Sequence, residues 1–159
     1  MNEIAFLLGA PLVGGLALAF VGGRPYAAIV NVGFSLLAFC ASVLLTVRVI
    51  GEGPITAWSD LFFVDPFNVF LVALTAFVAF TTAIFSRPYM MNEQQHGKVT
   101  GGMMRLYHSM YQLFVFTMLL ALLTNNMGVL WVAMEAATLT AVLLVGLYRT
   151  PASIEAAWK

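Results

Sequence analysis

Five apolar runs, each close to twenty residues or longer, leave this chain little choice of environment. They are Ile4 to Gly22, Tyr26 to Ile50, Phe67 to Ser86, Leu106 to Thr124 and Met127 to Tyr148, parted by polar stretches. At about 1.5 Å rise per residue, each covers the ~30 Å hydrocarbon layer of a bilayer as a helix. A helix satisfies all its backbone polar groups within the segment, which lipid demands. With 62% hydrophobic and 9% charged residues, against ~25% charged in a typical soluble domain, the chain reads as an integral membrane protein in contact with the lipid bilayer. Its formal net charge of zero and its lack of a basic cluster set nucleic acid aside as a partner. The single cysteine, Cys40, lies in an apolar run and leaves no Cys-x-x-Cys or iron–sulfur ligand set. No metal or cofactor is expected.

The punctuation between the runs predicts how they connect. MNEIAFLL carries Glu3 where a signal peptide has its positive region, so the first run is expected to stay as a span. Gly23-Arg24-Pro25 ends it. In the second span, Asn31, Ser35, Ser42 and Thr46 are expected to make interhelical hydrogen bonds. Residues 51–65 form a loop with Trp58 as an interfacial anchor, and Asp65-Pro66 opens the third span as cap and first helical residue. Residues 87–105, with Arg87, Glu93, His96, Lys98 and Arg105, read as a cytoplasmic loop with room for a short surface helix. Asn125-Asn126 is so short a turn that the fourth and fifth helices are antiparallel neighbours. Thr150-Pro151 starts a sixth helix that the sequence carries for nine residues. Two turns cannot span a bilayer, so the chain reads as a piece of a longer subunit or as one completed by another polypeptide. With the N-terminus outside, Arg24, Arg87, Lys98, Arg105 and Arg149 fall inside and Arg48 outside, the bias that positive-inside topology requires. The expected fold is therefore all-α: one bundle over 1–159, five transmembrane helices and the start of a sixth, in the bacterial cytoplasmic membrane.

Glu135 stands in the middle of the fifth run. An acid at that depth costs about 2.5–3.5 kcal/mol to insert, so it usually faces protein, has a partner and marks an ion path. Ala133, Ala137 and Ala141 form a small-residue stripe that lets a neighbouring helix approach closely, and Thr138 adds a hydroxyl near the acid. The other reading is a tolerated acid that snorkels or bonds to a neighbour. Lys159, roughly 13 Å into the sixth helix, is expected at nearly the height of Glu135. A pair at ~4 Å and an effective dielectric of ~20 is worth about 4 kcal/mol. Moving a proton against ~150 mV takes about 3.5 kcal/mol, so such a pair can tune proton affinity enough to couple to a membrane potential. His108 shares a polar strip with Tyr111 and Gln112 at one end of the fourth helix and is a candidate relay at the cytoplasmic mouth; a histidine satisfied by a helical neighbour is the alternative.

LFFVDPFNVFLVALTAFVAFTTAIFS and the run from RLYHSMYQLF through WVAMEAATL to TPASIEAAWK resemble a known family. It is that of the antiporter-like proton-translocating membrane subunits of respiratory complex I and the membrane-bound hydrogenases, of hydrogenase-4 component F type, similar also to subunit-5-like proteins of NADH–quinone oxidoreductase. The resemblance covers roughly Leu61 to Lys159, the N-terminal third of such a subunit. It implies that Glu135 is the fifth-helix glutamate, Lys159 the lysine early in the sixth, and that later helices bring further lysines to a central hydrophilic axis. It implies other membrane subunits as partners and protons or other monovalent cations as cargo. Two other functions stay open: a membrane subunit of an inorganic-carbon (bicarbonate) uptake system, and a structural membrane module that conducts nothing.

Overall fold

The computed structural model describes Asn2 to Trp158. Six helices follow one another: α1 Asn2–Val21, α2 Ala27–Glu52, α3 Pro66–Gln95, α4 Gly101–Leu123, α5 Met127–Val145 and α6 Pro151–Trp158. A 3-10 turn, Gly146–Tyr148, joins α5 to α6. The first five helices are long and apolar enough to cross a membrane. The helices α1, α2, α3 and α4 close a ring in which each packs on its two neighbours, and α5 is laid against the outside of α4.

Local chemistry sets the helix ends. Asp65 Oδ1 accepts from the amides of Phe67 (3.1 Å) and Asn68 (2.7 Å), while Asn68 Oδ1 accepts from the Asp65 amide at 2.9 Å. With Pro66 at the first helical position, this capping box starts α3 where the sequence indicates. Asn126 Oδ1 accepts from Gly128 (3.0 Å) and Val129 (3.1 Å) and starts α5, and the short turn makes α4 and α5 neighbours as expected. At α6, Thr150 and Ser153 exchange bonds, Ser153 Oγ accepting from the Thr150 amide and Thr150 Oγ1 from the Ser153 amide.

Two segments differ from the sequence reading. In residues 51–65 a small hairpin forms, with β1 Ile55–Ala57 antiparallel to β2 Phe62–Val64 in the register Thr56 to Phe63. Trp58, Ser59 and Asp60 turn between the strands with φ of 51°, 54° and 65°. The second segment is 87–105, which is largely helical. Polar residues there extend α3 to 30 residues, about 45 Å, so its last turns emerge past a ~30 Å hydrocarbon layer, the helix continuing through Pro88, whose missing N–H removes one helical hydrogen bond. The helix stops at Gly97, whose φ of +72° suits glycine; the Gly97 amide bonds Gln94 O and the Lys98 amide bonds Glu93 O, the paired bonds of a Schellman termination. Lys98 Nζ then pairs with the buried Glu93 at 3.1 Å. Only 96–100 connects α3 to α4.

Arg24, Arg87, Lys98, Arg105 and Arg149 gather at one end of the bundle, hereafter the basic end. Arg48 lies at the hairpin end, bonded to Glu3 (3.0 Å) and Glu52 (2.9 Å). At the basic end the α1–α2 turn lies directly on the start of α4: a side chain at Gly23 would come within 2.9 Å of Gly101 O.

Candidate functional site

The interior of the ring is divided by height. Toward the hairpin end it is apolar, filled by Leu7, Leu45, Val49, Val72, Leu119 and Leu123. Toward the basic end it is polar, with Asn31 and Ser35 from α2 facing His108, Ser109 and Gln112 from α4, all buried. Gln112 Nε2 donates to Asn31 O (2.9 Å), Asn31 Oδ1 (2.8 Å) and Ser35 Oγ (2.9 Å), and Ser109 Oγ donates to Gly15 O of α1 at 2.8 Å. Tyr111 turns the other way and donates to Ala79 O of α3. Of the polar strip expected on the fourth helix, His108 and Gln112 face the inside of the ring and Tyr111 does not; Asn31 and Ser35 make the interhelical bonds expected of them, whereas the Ser42 and Thr46 hydroxyls donate instead to Phe39 O and Ser42 O of their own helix, both at 2.7 Å.

His108 is 1% exposed, and neither ring nitrogen has a hydrogen-bond partner. The Oε1 of Gln112, one turn further along α4, is also buried without a partner. The Tyr107 ring meets the imidazole edge-on at 5.1 Å between centroids. His108 lines a cavity of about 170 Å³ at the basic end, bounded by Arg24 and Ala28 below the α1–α2 turn, Gln94 and Gln95 at the end of α3, and Met104. Arg24, Gln94 and Gln95 escaped the sequence reading because the cavity needs the extension of α3. The signal was the absence of a helix breaker between Asn92 and Gly97.

Glu135 lies elsewhere. Ala133 and Ala137 are buried against α4, as the small-residue stripe predicts, but Glu135 is exposed on the opposite side of α5 beside Trp131, Thr138 and Val142. Two residues are about 200° around a helix, so an acid two positions from Ala133 cannot share its face. The Thr138 hydroxyl bonds back to Met134 O and Glu135 O, both at 2.9 Å. Among the described residues no hydrogen bond or ion pair reaches the Glu135 carboxylate. Lys159 falls outside the described residues. Near the end of α6, the methyl of Ala157 lies 3.8 Å from where a Gly146 side chain would begin, so α6 supports the last turn of α5, eleven residues or about 16 Å along the axis from Glu135. The structure brings His108 together with Gln112, Asn31 and Ser35; it separates His108, inside the ring, from Glu135, outside it.

The described residues hold no group of three or more His, Cys, Asp or Glu able to ligate a metal ion. The arrangement sets two titratable side chains apart: a buried imidazole beside a cavity and a carboxylate on an open helix face.

No family model matches the chain. Among curated proteins it is similar to a hydrogenase-4 component F homolog of Methylacidiphilum infernorum (isolate V4), 41% identical over 149 residues. These make up 94% of this chain and 30% of that protein, so the chain spans less than a third of the length of the curated relative it matches. The chain, all-α with five helices long and apolar enough to cross a membrane, is thus similar to this hydrogenase-4 component F homolog along almost its whole length, and the similarity reaches into the first sixty residues, beyond the stretch from Leu61 expected from the sequence.

Proposed function

We propose that this chain is part of a proton-translocating membrane subunit in a redox-driven assembly of hydrogenase or complex I type, held in the bacterial cytoplasmic membrane with its basic end on the cytoplasmic side. It works with other membrane subunits and binds no redox cofactor itself. One observation carries the reading. The only charged residue between Met127 and Tyr148 stands at mid-span on a face of α5 that no described element covers. An ionised carboxylate is not left against lipid at that depth; a neighbouring helix with a basic or hydrated group must close over it. Glu135 is then the exchangeable proton site. Its charge partner is Lys159 or a lysine from another helix packed on the same face, and His108 relays protons at the cytoplasmic mouth.

Glu135→Gln in the full-length parent protein, assembled with its partners, tests this. The amide keeps the volume and hydrogen-bonding capacity of the acid and loses only the titration, so assembly is expected to persist while proton pumping in sealed vesicles is lost. Pumping at the wild-type rate would remove Glu135 from the path.

A further inference from the structure

The seam between α2 and α3 opens toward the basic end into a groove of about 770 Å³. Its deeper walls are apolar, Ile29 and Val32 from the first turns of α2 and Ile84 and Phe85 from α3, with Ile29 55% and Phe85 75% exposed. The α3 wall is one helix face, because Ile84, Pro88, Met91 and Gln95 recur at i, i+4, i+7 and i+11. Polarity begins at Arg87. It stands twenty-one residues along α3 from Pro66, or about 32 Å, which is headgroup height when Pro66 marks the other edge of a ~30 Å hydrocarbon layer. Beyond it Asn92 and Gln95 border the same groove.

The charge here is positive and uncompensated. Arg87 is exposed, and among the described residues it has no hydrogen bond or ion pair. Glu93, the one carboxylate in α3, lies about 180° around the helix from Ile84, buried and paired with Lys98. A second cation is close by: Met91 and Gln95 border both this groove and the His108 cavity, whose rim carries Arg24. Pro88 adds an acceptor at the same height, since its missing N–H takes from Ile84 O the donor a helix ordinarily supplies.

We propose that this groove binds an anionic phospholipid, with one acyl chain between Ile29, Val32, Ile84 and Phe85 and the phosphate on Arg87. Asn92 and Gln95 bond the polar head, and Ile84 O accepts from a headgroup hydroxyl. A planar guanidinium meets phosphate oxygens through parallel N–H bonds, and a basic pocket between helices at the membrane surface attracts anionic head groups. A protein helix fits this seam less well. It would shut Arg87 away from the headgroups and have to bring an acid to meet it, whereas the open carboxylate that calls for a protein partner is on α5, outside α4. The site needs only that these helices span the membrane; it does not rest on proton translocation.

The test is photochemical cross-linking in phosphatidylcholine liposomes that hold the full-length parent protein assembled with its partners. Two trace probes carry the same acyl chain with a diazirine near its headgroup end, one on phosphatidylglycerol and one on phosphatidylcholine, and label on residues 29–32 and 84–88 is read by mass spectrometry. The phosphatidylglycerol probe is expected to label them about fivefold more, the factor that one basic residue at an anionic headgroup is worth. Arg87→Gln removes the charge from an exposed position and should bring the two probes level. Arg105→Gln, at the same end but on α4 and outside the groove, should leave the preference intact. Equal labelling of the unaltered protein by the two probes would reduce the groove to ordinary lipid boundary and overturn the proposal. No label from either probe would mean that protein covers the seam, and would overturn it as well. A preference that survives Arg87→Gln, or is lost equally in Arg105→Gln, would belong to the charge of the whole basic end and remove the site.

Discussion

Gln112 holds the ring together where its polarity is greatest. Three acceptors on α2, Asn31 O, Asn31 Oδ1 and Ser35 Oγ, converge on one Nε2 at 2.8–2.9 Å. Interhelical hydrogen bonds in membrane proteins average about 0.6 kcal/mol and reach about 1.7, while an orphaned buried acceptor costs about 1–3 kcal/mol. Gln112→Leu removes the donor and leaves Asn31 Oδ1 and Ser35 Oγ behind, so we expect a loss of about 1–3 kcal/mol, read as a lower midpoint in denaturant titration of the micellar protein. Pairing it with Asn31→Ala should cost less than the sum of the two changes, because the second removes an acceptor the first has already orphaned. Additive effects would show that the two side chains do not share this bond. His108, one turn away, takes no part in that network.

At the scale of the element, what the sequence revealed depended on how local each signal was. Asp65-Pro66, Asn126 and Thr150-Pro151 mark helix starts through contacts within three residues, and all three do so in the structure. Asp65→Ala should destabilise by about 1 kcal/mol through loss of the cap, and Gly97→Ala by about 1 kcal/mol through strain at positive φ, both measured by the same denaturant midpoint. An unchanged midpoint for either would mean that the end it marks is held by packing instead. The extension of α3 to Gln95 was hidden because a helix leaving the membrane keeps its hydrogen bonding and loses its apolarity; hydropathy follows only the second. The hairpin was hidden because Trp58-Ser59-Asp60 offers no Asn-Gly or Asp-Gly pair, the usual local signal of a tight turn. For the site, the polarity of His108 and Gln112 was legible in their spacing. The cavity beneath His108 was not, since it is assembled from the α1–α2 turn and the far end of α3. The direction of Glu135 was legible and turned on an angle of about 200° from the alanine stripe.

The molecule as a whole has two unlike surfaces to offer, a closed ring and an open helix, and both depend on the bundle standing in the membrane in one sense. Basic residues within about 15–20 residues of the span ends decide orientation, because each resists transfer across the lipid. Five of them lie at one end, Arg24, Arg87, Lys98, Arg105 and Arg149, against Arg48 at the other, and Arg48 is already neutralised by Glu3 and Glu52. The same end carries the rim of the His108 cavity. Exposed positions at the two ends should therefore report from opposite compartments. In a Cys40→Ser background of the parent protein, His96→Cys in the α3–α4 connection is expected to react with an impermeant thiol reagent only from the cytoplasmic side. Ser59→Cys, in the hairpin, should react only from the opposite side. The reverse pattern would place the cavity mouth outside. Labelling of both from one side would mean that α3 does not cross the bilayer, and the mid-membrane position of Glu135, reached two spans later along the chain, would fall with it.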